Sequence, residues 1–225
     1  MHHVAENLWV LRYPLRLLGV EIGRTVTIIR LANGKFIVHS TAPFTAADLG
    51  AIRAAGEIAW LVDVSNFHDS LAREGRAALP DVPYLAPEGF SKYSGVATDP
   101  LSPAPAEWTS DLEVLELAGM PRVREHVMFH RPSGTLIVAD LLFNFGRRGS
   151  LWTRLFARYV MRLRNFIGMS PFFRLMIRDR EAFRRSMAIM MAWDFDRVIV
   201  AHGGIIERGG KARLREVLRA AGLEP

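Results

Sequence analysis

No cysteine occurs in the 225-residue chain. That absence excludes a disulfide framework, a thiolate zinc site and a thiol nucleophile, and it fits a reducing compartment. Long apolar runs are missing as well: spanning a bilayer takes about 20 consecutive apolar residues, and arginine interrupts every candidate stretch in the C-terminal half. The start, Met1-His2-His3-Val4-Ala5-Glu6, lacks the basic and then apolar stretch of a secretory leader. A cytoplasmic protein is expected. No G-x-S-x-G elbow, P-loop or dinucleotide fingerprint occurs, so a serine hydrolase built on Ser40 and a nucleotide-binding domain are both disfavoured. Acids are scarce in one region: from Arg147 to Arg185 the sequence holds 11 arginines against Asp179 and Glu181.

What is present points to a globular α/β chain. Half of the residues are hydrophobic and 23% are charged, enough apolar material for a sizeable core. The net charge of +6 makes weak attraction to anions plausible, and most of the excess lies in the arginine-rich stretch. A single domain over 1–225 is expected, with an arginine-rich helical segment at about 147–193.

Short apolar runs at 8–11, 26–31 and 36–38 read as strands, and Asn33-Gly34 between the last two predicts a type I′ hairpin. Thr45 is placed to cap a helix to Ala55, with Asp48 completing a capping box and Gly56 as its stop. Ile58 to Val62 reads as a strand buried on both faces. Further strands are expected at 82–85, 112–117, 123–129, 135–139 and 197–200, and helices at 71–79, across 150–193 with a break near Gly168 to Pro171, and at 211–221. Met187, Met190 and Met191, at helical spacing, read as core.

Polar residues able to hold a metal stand just past several apolar runs: His39 and Ser40, Asn66 and His68, Asp140, and His202. Ligands in α/β sheets bind beyond the carboxyl ends of strands, so side chains placed there from distant parts of the chain can converge. Taken singly, each has a plainer explanation: Asp140 can cap a turn, His202 can bond the loop backbone, and His68 can cap a helix. Their joint placement is the signal.

The runs Gly34 to Ser40, Asn66-Phe67-His68, Phe129 to Leu141 and Val198 to Gly203 resemble the bacterial domain of unknown function 4336, which is similar to the metallo-β-lactamase superfamily. The resemblance implies a four-layer αββα sandwich with metal ligands at one edge. It implies that His68 occupies a position in the first ligand motif, Asp140 the bridging aspartate and His202 the last histidine, with Asn66, Ser70 and Leu71 where that motif normally supplies other ligands. One divalent ion, zinc, iron or manganese, is therefore expected rather than two. Glu125 and His130 are candidates for a fourth ligand or a supporting partner, alongside Asn66, His39 and Ser40, while Asp69 or Glu125 is the candidate to orient a water.

Two functions stay open. One is a metal-dependent hydrolase of the ester or phosphoester class with a small-molecule substrate and an incomplete ligand set. The other is a catalytically silent domain that binds an unknown protein. The basic helical segment has its own alternatives: a surface helix with a solvated arginine face, a lid, or a homodimer contact through 151–173, with membrane and nucleic acid ranked last.

Overall fold

The computed structural model describes residues 1–146 and 150–225, so Arg147 and Arg148 of the basic segment lie outside the described residues. Alternation of side chains along short strands sets the architecture. Strands β1 (His2–Ala5) and β2 (Leu8–Tyr13) lead through a small ribbon, β3 (Arg16–Leu17) with β4 (Val20–Glu21), to β5 (Arg24–Arg30) and β6 (Phe36–His39), and β1, β2, β5 and β6 pair antiparallel in that order. Helix α1 (Ala46–Ala55) then carries the chain over to β7 (Ile58–Val62), parallel to β6. Helix α2 (Ala72–Ala78), β8 (Tyr84–Ala86), α3 (Phe90–Ser94) and β9 (Asp99–Pro100) complete a seven-stranded sheet.

The second sheet has four strands: β10 (Leu112–Glu116), β11 (His126–His130) and β12 (Thr135–Val138) run antiparallel, with β15 (Arg197–Val200) parallel to β12. Between β12 and β15 come β13 (Phe143–Asn144), α4 (Leu151–Leu155), β14 (Ile167–Gly168) paired with β13, α5 (Pro171–Met176) and α6 (Arg180–Ala192). Helix α7 (Gly210–Ala221) closes the fold and stops at Gly222, whose left-handed backbone (φ 65°) terminates it.

Successive strand residues point to opposite faces, and the buried clusters follow that rule. Ile29, Ile37 and Val62 of the first sheet meet Met128, Ile137 and Ile199 of the second in one inter-sheet core. Ile28, Val38 and Leu61 face outward under Leu49 and Ile52 of α1, while Leu136, Val198 and Val200 lie under Phe183, Met187 and Met190 of α6 and Leu214 and Leu218 of α7. The result is the four-layer αββα sandwich. Each fully buried aliphatic side chain contributes about 1.5–3 kcal/mol, so this shared core, more than any single short strand, fixes the sheets against each other.

Three expectations change. The β5–β6 turn is not type I′: Gly34 has φ 85° but Asn33 is not among the positive-φ residues. Gly34 N–H bonds Leu31 O (2.9 Å) and Asn33 Oδ1 accepts from Lys35 N (3.1 Å), giving a longer loop that needs one left-handed residue and not two. The strand expected at 123–129 starts only at His126, because Arg124 turns left-handed (φ 47°). The segment expected to be helical across 150–193 is broken more often than its periodicity indicates, and Ile167–Gly168 is a strand paired to Phe143–Asn144.

Candidate metal centre

Register builds the site. Strands β12 and β15 pair Val138 with Val200, so Asp140 and His202 sit two residues past adjacent strand ends. His68 arrives from the other sheet. The loop after β7 is tied across by Asn66 N–H to Val123 O (2.8 Å) and His126 N–H to Val64 O (2.7 Å), which carries His68 over the sheet edge. His68 Nε2 then lies 3.6 Å from Asp140 Oδ2, and His202 Nε2 lies 3.7 Å from Asp140 Oδ1. The three potential donors all fall within 4.8 Å of one another. Ligands of a tetrahedral zinc at about 2.0–2.1 Å stand roughly 3.3 Å apart, so the donors would draw in by up to about 1.5 Å to hold an ion.

The surroundings prepare these groups to ligate. His202 Nδ1 is 2.6 Å from Gly23 O; a carbonyl only accepts, so Nδ1 carries the hydrogen and Nε2 keeps its lone pair toward Asp140. Phe143 stacks on the ring (5.5 Å, 10°). Burial, then His68, pushes His202 down to about 4 and keeps it neutral near neutral pH. His68 is buried, and among the described residues neither of its ring nitrogens is hydrogen-bonded, an orphaned pair that a metal would satisfy. Although it precedes a helical turn, it makes no side-chain cap bond. Burial pushes Asp140 up, but His68, His202 and Arg24 outweigh it and hold the carboxyl at about 2.

Beneath the cluster lies a buried cation that the sequence reading missed. Arg24, at the start of β5, donates through Nη2 to His68 O (3.0 Å); burial pushes its pKa down, against the attraction of Asp63 and Asp140. Asp63 accepts from Thr41 Oγ1 (2.8 Å), Tyr84 Oη (2.6 Å), Ser40 Oγ (3.4 Å) and Thr41 N (3.4 Å). With both imidazoles in the neutral form that ligation requires, one arginine faces two carboxylates. The excess negative charge suits a cation. Arg24 was legible as an arginine opening a buried strand, which is rare without a partner. Asp63, directly after Val62, meets the same strand-end criterion as the residues chosen.

The other candidates separate clearly. Glu125, fully buried, accepts from the N–H groups of Ala139 (2.9 Å), Asp140 (3.0 Å) and Leu141 (3.2 Å); it holds the turn that presents Asp140 and so acts as a positioning residue. Burial and the Asp140 charge push its carboxyl up to about 8. Asn66 spends its amide on Glu88 O and Arg122 O, 3.3 Å each. His39, buried beside His68 and Arg24, is held at about 3 by burial first and then by those two groups. Ser40 serves Asp63. His130 is not at the site: it pairs with Thr135, at the far end of β12, roughly 16 Å of strand from Asp140.

Asp69 lines the cavity that opens over the cluster. The cavity measures about 540 Å³, with Leu15, Ile22, Phe67, Phe156 and Phe173 on its walls and His68, Asp140 and His202 at its floor. Apolar walls around a few convergent polar groups are what a small-molecule site provides.

No family model matches the chain, and no curated protein matches it. Solved structures do. The chain is similar to TMB-1 over 98% of its own length and 97% of that chain, with a TM-score of 0.67 at 13% identity. It is similar to a metallo-β-lactamase from Erythrobacter litoralis, solved with β-mercaptoethanol in the active site, over 97% and 95% (TM-score 0.66, 12% identity). The metallo-β-lactamase FIM-1 from Pseudomonas aeruginosa, in its mono-zinc form, matches over 98% and 94% (TM-score 0.59, 13% identity). At such identities the shared property is the course of the backbone, and the chain has the metallo-β-lactamase fold.

Proposed function

We propose that this protein is a metal-dependent hydrolase of the ester or phosphoester class, acting on a small molecule and holding one divalent ion on His68, Asp140 and His202. The observation that carries the reading is the convergence of two imidazoles and one carboxylate, from both sheets, at ligand spacing. Two nitrogens and one carboxylate oxygen suit zinc, with iron or manganese as the other choices. A bound ion would supply Lewis acidity and lower the pKa of a water toward about 7. The chain's own residues do the rest: Asp69, at the cavity wall, orients the water, Glu125 fixes Asp140 through three backbone donors, and the apolar walls exclude bulk water. Membership of the domain of unknown function 4336, and a bacterial cytoplasm as its setting, belong to the same reading.

The ligand set is thin, and Leu71, Ser70 and Asn66 stand where the first motif is otherwise rich in ligands. That favours, as the second reading, a domain that keeps the fold and binds a partner without catalysis. Elemental analysis of protein made with added zinc, manganese or iron separates the two. Near-stoichiometric metal in the wild type and none in an Asp140→Ala, His202→Ala double variant is expected; an absence of metal in both sinks the hydrolase.

A further inference from the structure

The side chains that close the outer edge of the cavity also face water. Leu17, Val160 and Phe172 line the cavity, yet Phe172 is 59% exposed and the other two are similarly open. Next to Leu17 and Val160 in sequence, or on the preceding helix, Leu18 (82%), Tyr159 (67%) and Trp152 (62%) are exposed as well. Thr153 Oγ1 of α4 donates to Glu21 O of the β3–β4 ribbon (3.4 Å), and Phe172 of α5 packs on Phe67 in the loop that carries His68 (5.7 Å). Isolated exposed hydrophobics need no explanation, but several large ones at one cavity mouth do.

Charge decides what covers it. Between Ser150 and Arg178 the sequence has six arginines and no acid. Arg154 and Arg158 flank a hollow of about 250 Å³ beside Asn165 and Phe166, and Arg162 borders the adjoining hollow with Arg158 and Tyr159. A symmetric contact with a second copy sets the same patch against itself, arginine facing arginine. An anionic bilayer answers both features: its headgroups meet the guanidinium groups, and Trp, Tyr, Leu and Phe enter the headgroup boundary. Among the described residues no helix is long and apolar enough to cross a membrane, so such contact is at the surface.

We propose that this rim is an interfacial docking surface for an anionic lipid bilayer, which sets the cavity mouth against the membrane. Membrane was ranked last on the sequence, which does not show that exposed Leu17, Val160 and Phe172 meet at the cavity mouth. Docking does not depend on hydrolysis, and its test is kept apart from it. The full-length protein is sedimented with vesicles of phosphatidylcholine alone or mixed with phosphatidylglycerol, as wild type, as a Trp152→Ser, Phe172→Ser variant and as Asp140→Ala. Expected are partition at least about tenfold stronger on the anionic vesicles, a further loss of about tenfold in the rim variant, and release at about 1 M salt. Asp140→Ala, which removes a metal ligand, binds like the wild type. No preference for anionic vesicles, or equal binding by the rim variant, overturns the proposal. So does a solution dimer, seen by sedimentation velocity, that the rim substitutions dissociate, because it assigns the rim to a second copy.

Discussion

Strand β12 has a buried histidine near each end, and the two ends do different things. Beyond its C-terminal end, His202 meets Asp140 and His68 at ligand spacing. Beside its N-terminal end, His130 bonds Ser133 Oγ (2.7 Å), which in turn donates to Thr135 Oγ1 (2.8 Å). Burial pushes both imidazoles down to about 4, so a depressed pKa does not distinguish them. What does is the number of groups that converge: at His130 one hydroxyl meets Nδ1 and, among the described residues, nothing meets the buried Nε2, whereas the site end gathers two imidazoles and a carboxylate. Perturbed titration marks burial, and convergence marks a site.

The largest effect expected from this contrast is on metal affinity. Asp140→Ala should weaken it by more than about a hundredfold, beyond what supporting residues alone command, while His130→Gln leaves metal content unchanged; a metal loss in His130→Gln would break the comparison. Next comes Glu125→Ala, which orphans three buried backbone N–H groups at about 1–3 kcal/mol each. A stability loss of at least about 3 kcal/mol in urea unfolding is expected, with Glu125→Gln losing less because an acceptor remains.

The third effect is on acid stability. Burial, opposed by Asp111, moves His130 from 6.5 down to about 4. Between those values the unfolded chain binds a proton that the folded chain refuses, so stability falls as pH drops from 6.5 toward 4, by at most about 1.4 kcal/mol per unit. His130→Gln should flatten that limb; His39 and His202, also depressed, are present in both proteins and cancel in the difference. The smallest effect is Ser133→Ala, about 1 kcal/mol at neutral pH, with no change at the metal end.

Much of the fold was legible because strand alternation and caps are local. Thr45 with Asp48 does form the capping box, and the apolar runs at 58–62 and 197–200 are buried strands. His68, Asp140 and His202 were found by one rule, polar residues just past apolar runs, which works because parallel strands end together. The same rule also selected His39 and Asn66, since sequence cannot tell which strand-end side chains turn toward the gap between sheets. His130 was a candidate because it is near Asp140 in sequence, but an antiparallel hairpin sends neighbours to opposite ends of the sheet. Glu125 lay inside the strand expected at 123–129, but it stands just before β11 begins at His126. Gly23 and Arg24 escaped because their partners, His202 and His68, lie 179 and 44 residues away, contacts that no local pattern encodes.

The three candidate ligands are divided between the sheets, His68 reaching over from one while Asp140 and His202 belong to the other, and this would give a bound ion a thermodynamic role apart from chemistry. Bound there, it would act as a rivet between the halves of the sandwich. Because the unfolded chain does not keep the three donors together, free ion at a hundred times its dissociation constant would raise unfolding free energy by about 2.7 kcal/mol, and chelation would loosen the seam between the sheets before it disturbed either sheet alone.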